Sequence, residues 1–352
     1  MDLTNYKEKP ERTVYFDYLR VFATFAIIIL HISAKTFTTV NVNLPDWKIA
    51  TFYNSIVRWG VPVFVMISGS LFLNRDVPMK KMYSKYILRL VTSFVVWSLI
   101  YSVFVKGNIF NKLSEAVRGH YHMWFVLMII GIYMCIPFIK PIIQSKNRTK
   151  YYLLLSFIFA FLIPEIIMLT GDFGNTFIIK SMSAINDNAK NMGMQMVLGF
   201  AGYFVLGYFL NRINLTKKQR LVIYLLGLFG FLFTISISMI VSIRHQQHNE
   251  NYFGNFNVNI LLEAIAVFTW FKYRKFNNDK INRIIQRLSK YSFGAYLIHA
   301  LVIERFNACN WFNIMSFNSI ASTICKGILV FTISFAVSAI LNNIPLIKKY
   351  IV

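Results

Sequence analysis

The stretch YFDYLRVFATFAIIILH, residues 15–31, sets the fold of this chain. It is apolar for most of its length and is interrupted by Asp17, Arg20, Thr24 and His31. We predict that it crosses a membrane as a helix, because backbone polar groups must bond one another inside hydrocarbon. Ionisable side chains are costly in such a helix, so they are expected to face the interior of a bundle or a wet cavity.

Similar apolar runs recur along all 352 residues, of which 56% are hydrophobic and only 14% charged. A soluble chain carries about a quarter charged residues. The pattern therefore predicts an all-α, polytopic transmembrane bundle that forms a single domain over residues 1–352. We predict ten spans: 15–35, 52–73, 84–105, 122–143, 151–169, 195–211, 221–243, 256–272, 292–308 and 319–341.

The net charge of +23 comes from Lys and Arg that lie mainly in short loops, such as 74–89, 211–220 and 272–290. Basic loops of a membrane protein remain on the cytoplasmic side, where they meet anionic lipids, so both termini are predicted to be cytoplasmic. This placement argues for membrane lipids and against nucleic acid as a partner. The basic segment 272–291 has isoleucines at helical spacing and is predicted to lie on the membrane surface as an amphipathic helix.

No metal site is expected. The three cysteines show no CxxC spacing. His245 and His248 share a polar loop, but no third and fourth ligand follow at a suitable spacing. We therefore expect no metal and no permanently bound cofactor.

Arg20 and His31 are eleven residues apart, which places both on one face of a helix, about 16 Å apart along its axis. Asp17 and Thr24 fall on the same side. Arg20, near the cytoplasmic surface, suits a phosphate, whereas His31, beyond the midplane, carries an imidazole that titrates near neutral pH. This arrangement favours a phosphorylated donor with a long arm, such as acyl-CoA. The alternative is a buried histidine that only bonds a neighbouring helix.

Further ionisable side chains occur in or beside other spans, and each is a candidate functional residue: Arg58, Arg89, Glu165, Glu263 and His299. Ser292 precedes His299 by seven residues and shares its helix face. The carboxylate of Glu263 is expected to pair with His31 or His299, and the sequence leaves that choice open.

Several motifs resemble those of the membrane acyltransferase-3 family, the integral-membrane O-acyltransferases that modify bacterial surface glycans. Arg20, ten residues and His31 match its first-span element. GVPVFVMISG at 60–69 is similar to a Phe-x-x-Ser-Gly element. The remaining matches are SKYILRL at 84–90 with Lys85 and Arg89, HMWFV at 122–126 with Trp124, and SKYSFGAYLIH at 289–299 with Ser292, Phe293, Tyr296 and His299.

The resemblance implies transfer of an acyl group, commonly acetyl, from cytoplasmic acyl-CoA to a carbohydrate hydroxyl, in the bacterial cytoplasmic membrane. On this interpretation His31 is the general base or carries a covalent acyl group. His299 and Glu263 assist it. The donor is bound by Arg20, Arg89, Lys85 and Asp17. The substrate pocket contains Ser68, Trp124, Ser292, Tyr296, Arg58 and Glu165.

The chain departs from the family pattern in two respects. The element around Arg89 lacks the proline that such helices often carry. The sequence stops after the tenth predicted span, so we expect no fused extracytoplasmic domain and no second transfer step by one.

Two other functions are compatible with buried ionisable residues. One is a transporter or flippase for a glycan precursor or small solute, although no internal repeat or pair of Gly/Pro-broken helices is evident. The other is a non-enzymatic membrane subunit of a glycan-assembly complex.

Overall fold

The structure, a computed structural model, describes residues 12–175, 177–179, 181–182, 195–309 and 319–352, with the backbone alone at 195–197. Within these ranges the chain forms helices and connecting turns and contains no strand. The predicted all-α class is therefore confirmed.

We number the helices of the described residues in chain order: α1 (Val14–Thr39), α2 (Pro45–Ile56), α3 (Gly60–Phe72), α4 (Met79–Val103), α5 (Ile109–Arg118), α6 (Trp124–Ile143), α7 (Lys146–Phe173), α8 (Gln195–Arg212), α9 (Lys217–His245), α10 (Val258–Tyr273), α11 (Asp279–Ala308), α12 (Ser319–Leu341) and α13 (Pro345–Tyr350). Helices α4 and α7 each contain a π-helical segment, Met82–Ile87 and Phe157–Leu162.

Among the described helices, seven segments are long and apolar enough to cross a membrane: α1, α2 together with α3, α4, α6, α7, α9 and α12. Helices α8, α10 and α11 coincide with the other three predicted spans. Helix α10 has only 16 residues, and α11 begins with a basic segment. The count of ten spans and the orientation of the termini therefore stay predictions.

Apolar side chains cover much of the outer surface of the bundle. On α9, Leu221, Leu225, Phe229 and Leu232 recur at helical spacing and are all exposed. A soluble protein buries such a stripe, whereas lipid solvates it. The chain is a multi-pass membrane protein.

The helix ends form two groups, as alternating spans require. At one end, which includes the start of α1, the Tyr15 hydroxyl donates to Asn211 at the end of α8 over 2.6 Å. At the other end, the Tyr252 hydroxyl donates to Asp172 near the end of α7 over 2.6 Å. Loops that the charge pattern assigns to one side of the membrane thus meet at one end of the bundle.

The predicted amphipathic helix of the segment 272–291 is part of a longer helix. Residues 279–291 are not a separate amphipathic helix, because α11 continues without a break from Asp279 to Ala308. Helix α5 has an exposed apolar face formed by Ile109, Phe110, Leu113 and Val117. Its short apolar face was too small to stand out in the sequence.

Helices α3 and α8 cross at backbone contact because each contributes a glycine. Gly69 faces the backbone of Phe204, and Gly207 faces the backbone of Met66. A Cβ at either glycine would overlap the opposite main chain. The stretch 60–69, which is similar to a Phe-x-x-Ser-Gly element, therefore ends on a residue that packing requires.

We predict that Gly69→Ala lowers the free energy of unfolding by about 1–3 kcal/mol, because the new methyl group forces α3 and α8 apart. Gly131→Ala is the matched control, since no atom lies within 4 Å of a Cβ at that position. Thermal denaturation of the two variants in detergent measures the difference. Equal melting temperatures would contradict the close crossing.

Candidate active site

Arg20 lines a cavity of about 460 Å³ at one end of the bundle, which we call the Arg20 cavity. Two further guanidinium groups, Arg12 and Arg75, line it as well. Its polar walls include Asn74 and Asn211. Three permanently charged guanidinium groups around one cavity favour the binding of an anion with several negative charges.

Asp17 lines the Arg20 cavity and contacts two of its arginines. Its buried carboxylate accepts two hydrogen bonds from Arg12, at 2.7 and 2.8 Å, while Nη1 of Arg20 lies 3.9 Å away. The bond to Asp17 raises the pKa of Arg12. Asp17 therefore orients Arg12 more firmly than Arg20. The N–H groups of Arg20 remain available to a ligand.

Arg89 and Lys85 do not line the Arg20 cavity. The guanidinium of Arg89 donates to the carbonyl of Val352 and lies 5.4 Å from the ring of Phe293. Lys85 is exposed, and its Nζ lies 5.8 Å from the ring of Tyr86. The sequence grouped them with Arg20 because it could not show which face of α4 meets the segment 345–352.

Ser68 also lies away from His31. It interacts with the hydroxyl of Tyr133, a buried side chain that is within electrostatic range of both Arg20 and Arg89. The serine of the Phe-x-x-Ser-Gly element thus belongs to the Arg20 end of the bundle.

His31 lines a second cavity of about 360 Å³, the His31 cavity, which is bounded by α1, α3, α6, α11 and the segment 250–255. Four of the predicted site residues meet there: His31, Arg58, Trp124 and Tyr296. Nη1 of Arg58 donates to the carbonyl of Phe253 over 3.3 Å, and its Nε is buried without a described partner. The Nε–H group of Arg58 therefore has no described hydrogen-bond partner.

His299 packs directly behind His31, with 5.2 Å between the ring centroids. It is fully buried, and its Nδ1 bonds the carbonyl of Tyr296. A carbonyl only accepts, so Nδ1 carries the proton and Nε2 is left as an acceptor. That Nε2 has no described hydrogen-bond partner.

Two more histidines complete this cluster. The sequence marks both as unusual at the start of the fourth predicted span, but the predicted site does not include them. The ring of His122 lies 5.1 Å from that of His299, and His122 lines the His31 cavity. Nδ1 of His122 lies 2.8 Å from Nδ1 of His120, whose Nε2 lies 2.8 Å from Oε1 of Glu304. The only sequence signal was two histidines just before Trp124. Among the described residues, no group of three or more His, Cys, Asp or Glu side chains could hold a metal ion.

A third cavity of about 440 Å³ opens on the other side of His31, and we call it the Glu304 cavity. Lys35, Tyr121, Glu304 and Asn307 are among its lining residues. Partial burial raises the pKa of Tyr121, so its hydroxyl stays protonated and can donate. His31 is thus reached from two sides.

Three predicted site residues lie elsewhere. Oε1 of Glu263 accepts from Thr234 over 3.0 Å, so the expected pairing with His31 or His299 is not seen among the described contacts. Glu165 is buried near Asn257 and Val258 at the amino end of α10. The hydroxyl of Ser292 donates to the carbonyl of Ser289.

Arg20 and His31 share a face of α1 but line two separate cavities. Thr24 and Ile27 lie between them on α1 and are buried. Ile27 packs in a cluster with Phe64 and Phe125, whose ring centroids are 6.1 Å apart. This apolar layer separates the arginine-lined end from the imidazole end.

One of three comparisons with known proteins gave a match. A family model described as an acyltransferase domain matches residues 13–342, nearly the whole chain. Comparisons with curated proteins and with solved structures gave no match. The family match covers α1 with Arg20 and His31, the crossing at Gly69, and α11 with His299. The chain therefore belongs to the acyltransferase-3 family and is a membrane acyltransferase.

Proposed function

We propose that this protein moves an acyl group, most simply acetyl, from cytoplasmic acyl-CoA to a hydroxyl of a cell-surface polysaccharide or lipid-linked glycan precursor. We place it in the bacterial cytoplasmic membrane. The proposal rests on helix α1, which presents Arg20 in a cavity with three guanidinium groups and His31 in a second cavity about three turns farther along.

The Arg20 cavity suits the nucleotide end of acyl-CoA. Phosphate groups favour guanidinium donors, which bind two oxygens at once and remain charged. Arg12 is already held by Asp17, so Arg20 and Arg75 are the donors with free capacity. We include Arg20 and Arg75 in the donor site and give Asp17 and Arg12 a positioning role there.

The apolar layer between the two cavities suits the arm of the donor. The arm of acyl-CoA is thin and uncharged, so it can pass between apolar side chains. A charged phosphate group could not enter that layer without a large loss of solvation. Phe64, Phe125 and Ile27 would have to move apart for it to pass. The thioester would then enter the His31 cavity, while the phosphate groups of the donor remain in the Arg20 cavity.

At the thioester, His31 acts as the general base. It removes the proton of the acceptor hydroxyl while the oxygen attacks the acyl carbon and the bond to sulfur breaks. The guanidinium group of Arg58 lines the same cavity and can donate to the oxyanion that develops. Covalent transfer through an acyl-imidazole at His31 is the second route, and acid-quenched protein that retains radiolabel would reveal it.

Transport is the competing function. Two cavities at opposite ends of a bundle, separated by an apolar layer, are also what alternating access requires. Purified protein in liposomes with radiolabelled acetyl-CoA and candidate glycans separates the two. Label on the glycan supports transfer, and movement of glycan across the bilayer without label supports transport.

We predict that His31→Gln lowers kcat by about 10²- to 10⁴-fold, the usual contribution of a general base. Transfer of radiolabelled acetyl to envelope glycan in nanodiscs, where both faces are accessible, measures it. His245→Gln is the matched control, because His245 is exposed at the end of α9. Wild-type kcat in the His31 variant would remove His31 from the reaction.

We predict that Arg20→Ala raises the KM for the acyl-CoA donor roughly tenfold or more, because one charged hydrogen-bonding group is lost. Arg283→Ala is the control, since Arg283 is exposed on α11 and its Nε donates to the carbonyl of Asp279. An unchanged donor KM in the Arg20 variant would contradict the phosphate assignment.

We predict that cells without this protein lack one O-acyl substituent on an envelope glycan. Mass spectrometry of glycans from cells with and without the gene identifies both the acceptor and the acyl group. Complementation with the His31→Gln variant should leave the substituent absent. Identical glycan spectra would count against an envelope acceptor.

A further inference from the structure

The Glu304 cavity is a second approach to His31 that the proposed donor route leaves free. Lys35 and Thr38, which line it from α1, lie beyond His31 as the helix runs away from Arg20. The apolar layer, through which the arm of the donor would pass, contributes none of the described residues of this cavity. A second substrate bound there would therefore meet the imidazole without displacing the donor.

Glu304 offers this cavity a carboxylate oxygen. Its Oε1 lies 2.8 Å from Nε2 of His120, and because a carboxylate only accepts, the imidazole donates this bond. No described hydrogen bond uses Oε2, and the side chain is 36% exposed. The carboxylate and the imidazole of His31 are thus two hydrogen-bond acceptors in the wall of one cavity. Two hydroxyl groups of one molecule can satisfy both.

Asn307 adds hydrogen-bond donors, and a buried lysine fixes its orientation. Nζ of Lys326 lies 2.7 Å from Oδ1 of Asn307, and Lys326 is only 4% exposed. An ammonium group only donates, so the amide oxygen faces Lys326 and the two amide N–H bonds are left for other partners. Asn307 follows Glu304 by three residues on α11, so the two side chains lie on one face of that helix. Donors and an acceptor therefore lie side by side, as a hydroxyl group requires.

Tyr121 gives the same cavity an accessible aromatic ring. The residue is 54% exposed, and its ring centroid lies 5.3 Å from that of His31 in an edge-to-face arrangement. Sugar rings have apolar C–H faces as well as hydroxyl groups, and such faces pack on aromatic rings. A binding pocket combines apolar walls with a few polar groups that fix the orientation of the ligand. This combination favours a sugar ring over a small ion or a lipid chain.

We propose that the Glu304 cavity is the acceptor site and binds one sugar ring of the glycan, with one hydroxyl group at His31 and a second at Glu304. This inference rests on the proposed function, and it assigns the residues that select the acceptor. The ring packs on Tyr121, and Asn307 donates to an oxygen of the sugar. Lys326 is a positioning residue, because it acts on the sugar only through Asn307.

We predict that Glu304→Gln raises the KM for the glycan by about tenfold or more and leaves the KM for acetyl-CoA unchanged, because one charged acceptor oxygen is replaced by an amide N–H2 group. Radiolabelled acetyl-CoA and envelope glycan in nanodiscs are the probes. Glu115→Gln is the matched control, since Glu115 pairs with Arg118 on α5 and does not line the cavity. A general defect of folding would not change one KM and spare the other.

Two substitutions at Tyr121 separate packing on the ring from hydrogen bonding. Tyr121→Phe keeps the ring and should change the glycan KM by no more than about threefold, whereas Tyr121→Ala should raise it by about tenfold. The KM for acetyl-CoA should stay at the wild-type value in both variants. Equal effects of the two substitutions on the glycan KM would contradict packing of the sugar on the ring.

Binding of the glycan can also be measured without transfer. In a variant without the three native cysteines, Thr38→Cys places a thiol in the cavity, and Thr39→Cys places one on the next exposed residue, which does not line it. Saturating envelope glycan should slow the reaction of a maleimide with Thr38→Cys severalfold and leave Thr39→Cys unaffected. Glycan whose rings have been opened with periodate should not protect, and neither should acetyl-CoA.

Two results would overturn the acceptor site. One is a wild-type glycan KM in Glu304→Gln, and the other is a Thr38→Cys thiol that saturating glycan does not protect. In both cases transfer that still depends on His31 would leave the proposed function standing. If glycan protects Thr38→Cys but receives no label from acetyl-CoA, the cavity binds a sugar and the proposed function fails.

Discussion

Burying charge inside an apolar bundle is the constraint on which this structure depends. Helix α1 carries Asp17, Arg20 and His31, so it cannot face lipid along that stripe. It packs instead against α2, α3, α11 and α12, and its polar groups open into cavities. The bundle is therefore organised around one helix whose polar face had to be enclosed.

Enclosure divides the polar groups into two sets with different chemistry. At one end, the guanidinium groups of Arg12, Arg20 and Arg75 line one cavity. At the other, imidazoles and Arg58 surround a small cavity. The apolar layer at Ile27 keeps the two ends apart, and this separation suits an enzyme whose donor is charged at one end and reactive at the other. It also explains why residues from the same sequence motif need not share a cavity.

The family elements turn out to have different physical roles. Gly69 lets α3 approach α8 at backbone distance. Arg89 binds the carbonyl of Val352. Trp124 and Tyr296 line the His31 cavity, and His299 supports His31 from behind. A recurring motif thus identifies a position that matters, whereas contacts decide whether it matters for packing or for chemistry.

The sequence by itself determined the helical class, most of the helix positions and the placement of Arg20 and His31 on one face of α1, because hydrophobic length and helical periodicity are local properties. Tertiary structure decided the partners. It placed Glu263 on Thr234 and brought His120 and His122 to Glu304, 184 residues apart in sequence at the His120–Glu304 contact. Such contacts depend on which helices are neighbours and how each is rotated, and neither is encoded in the spacing of residues along a single span.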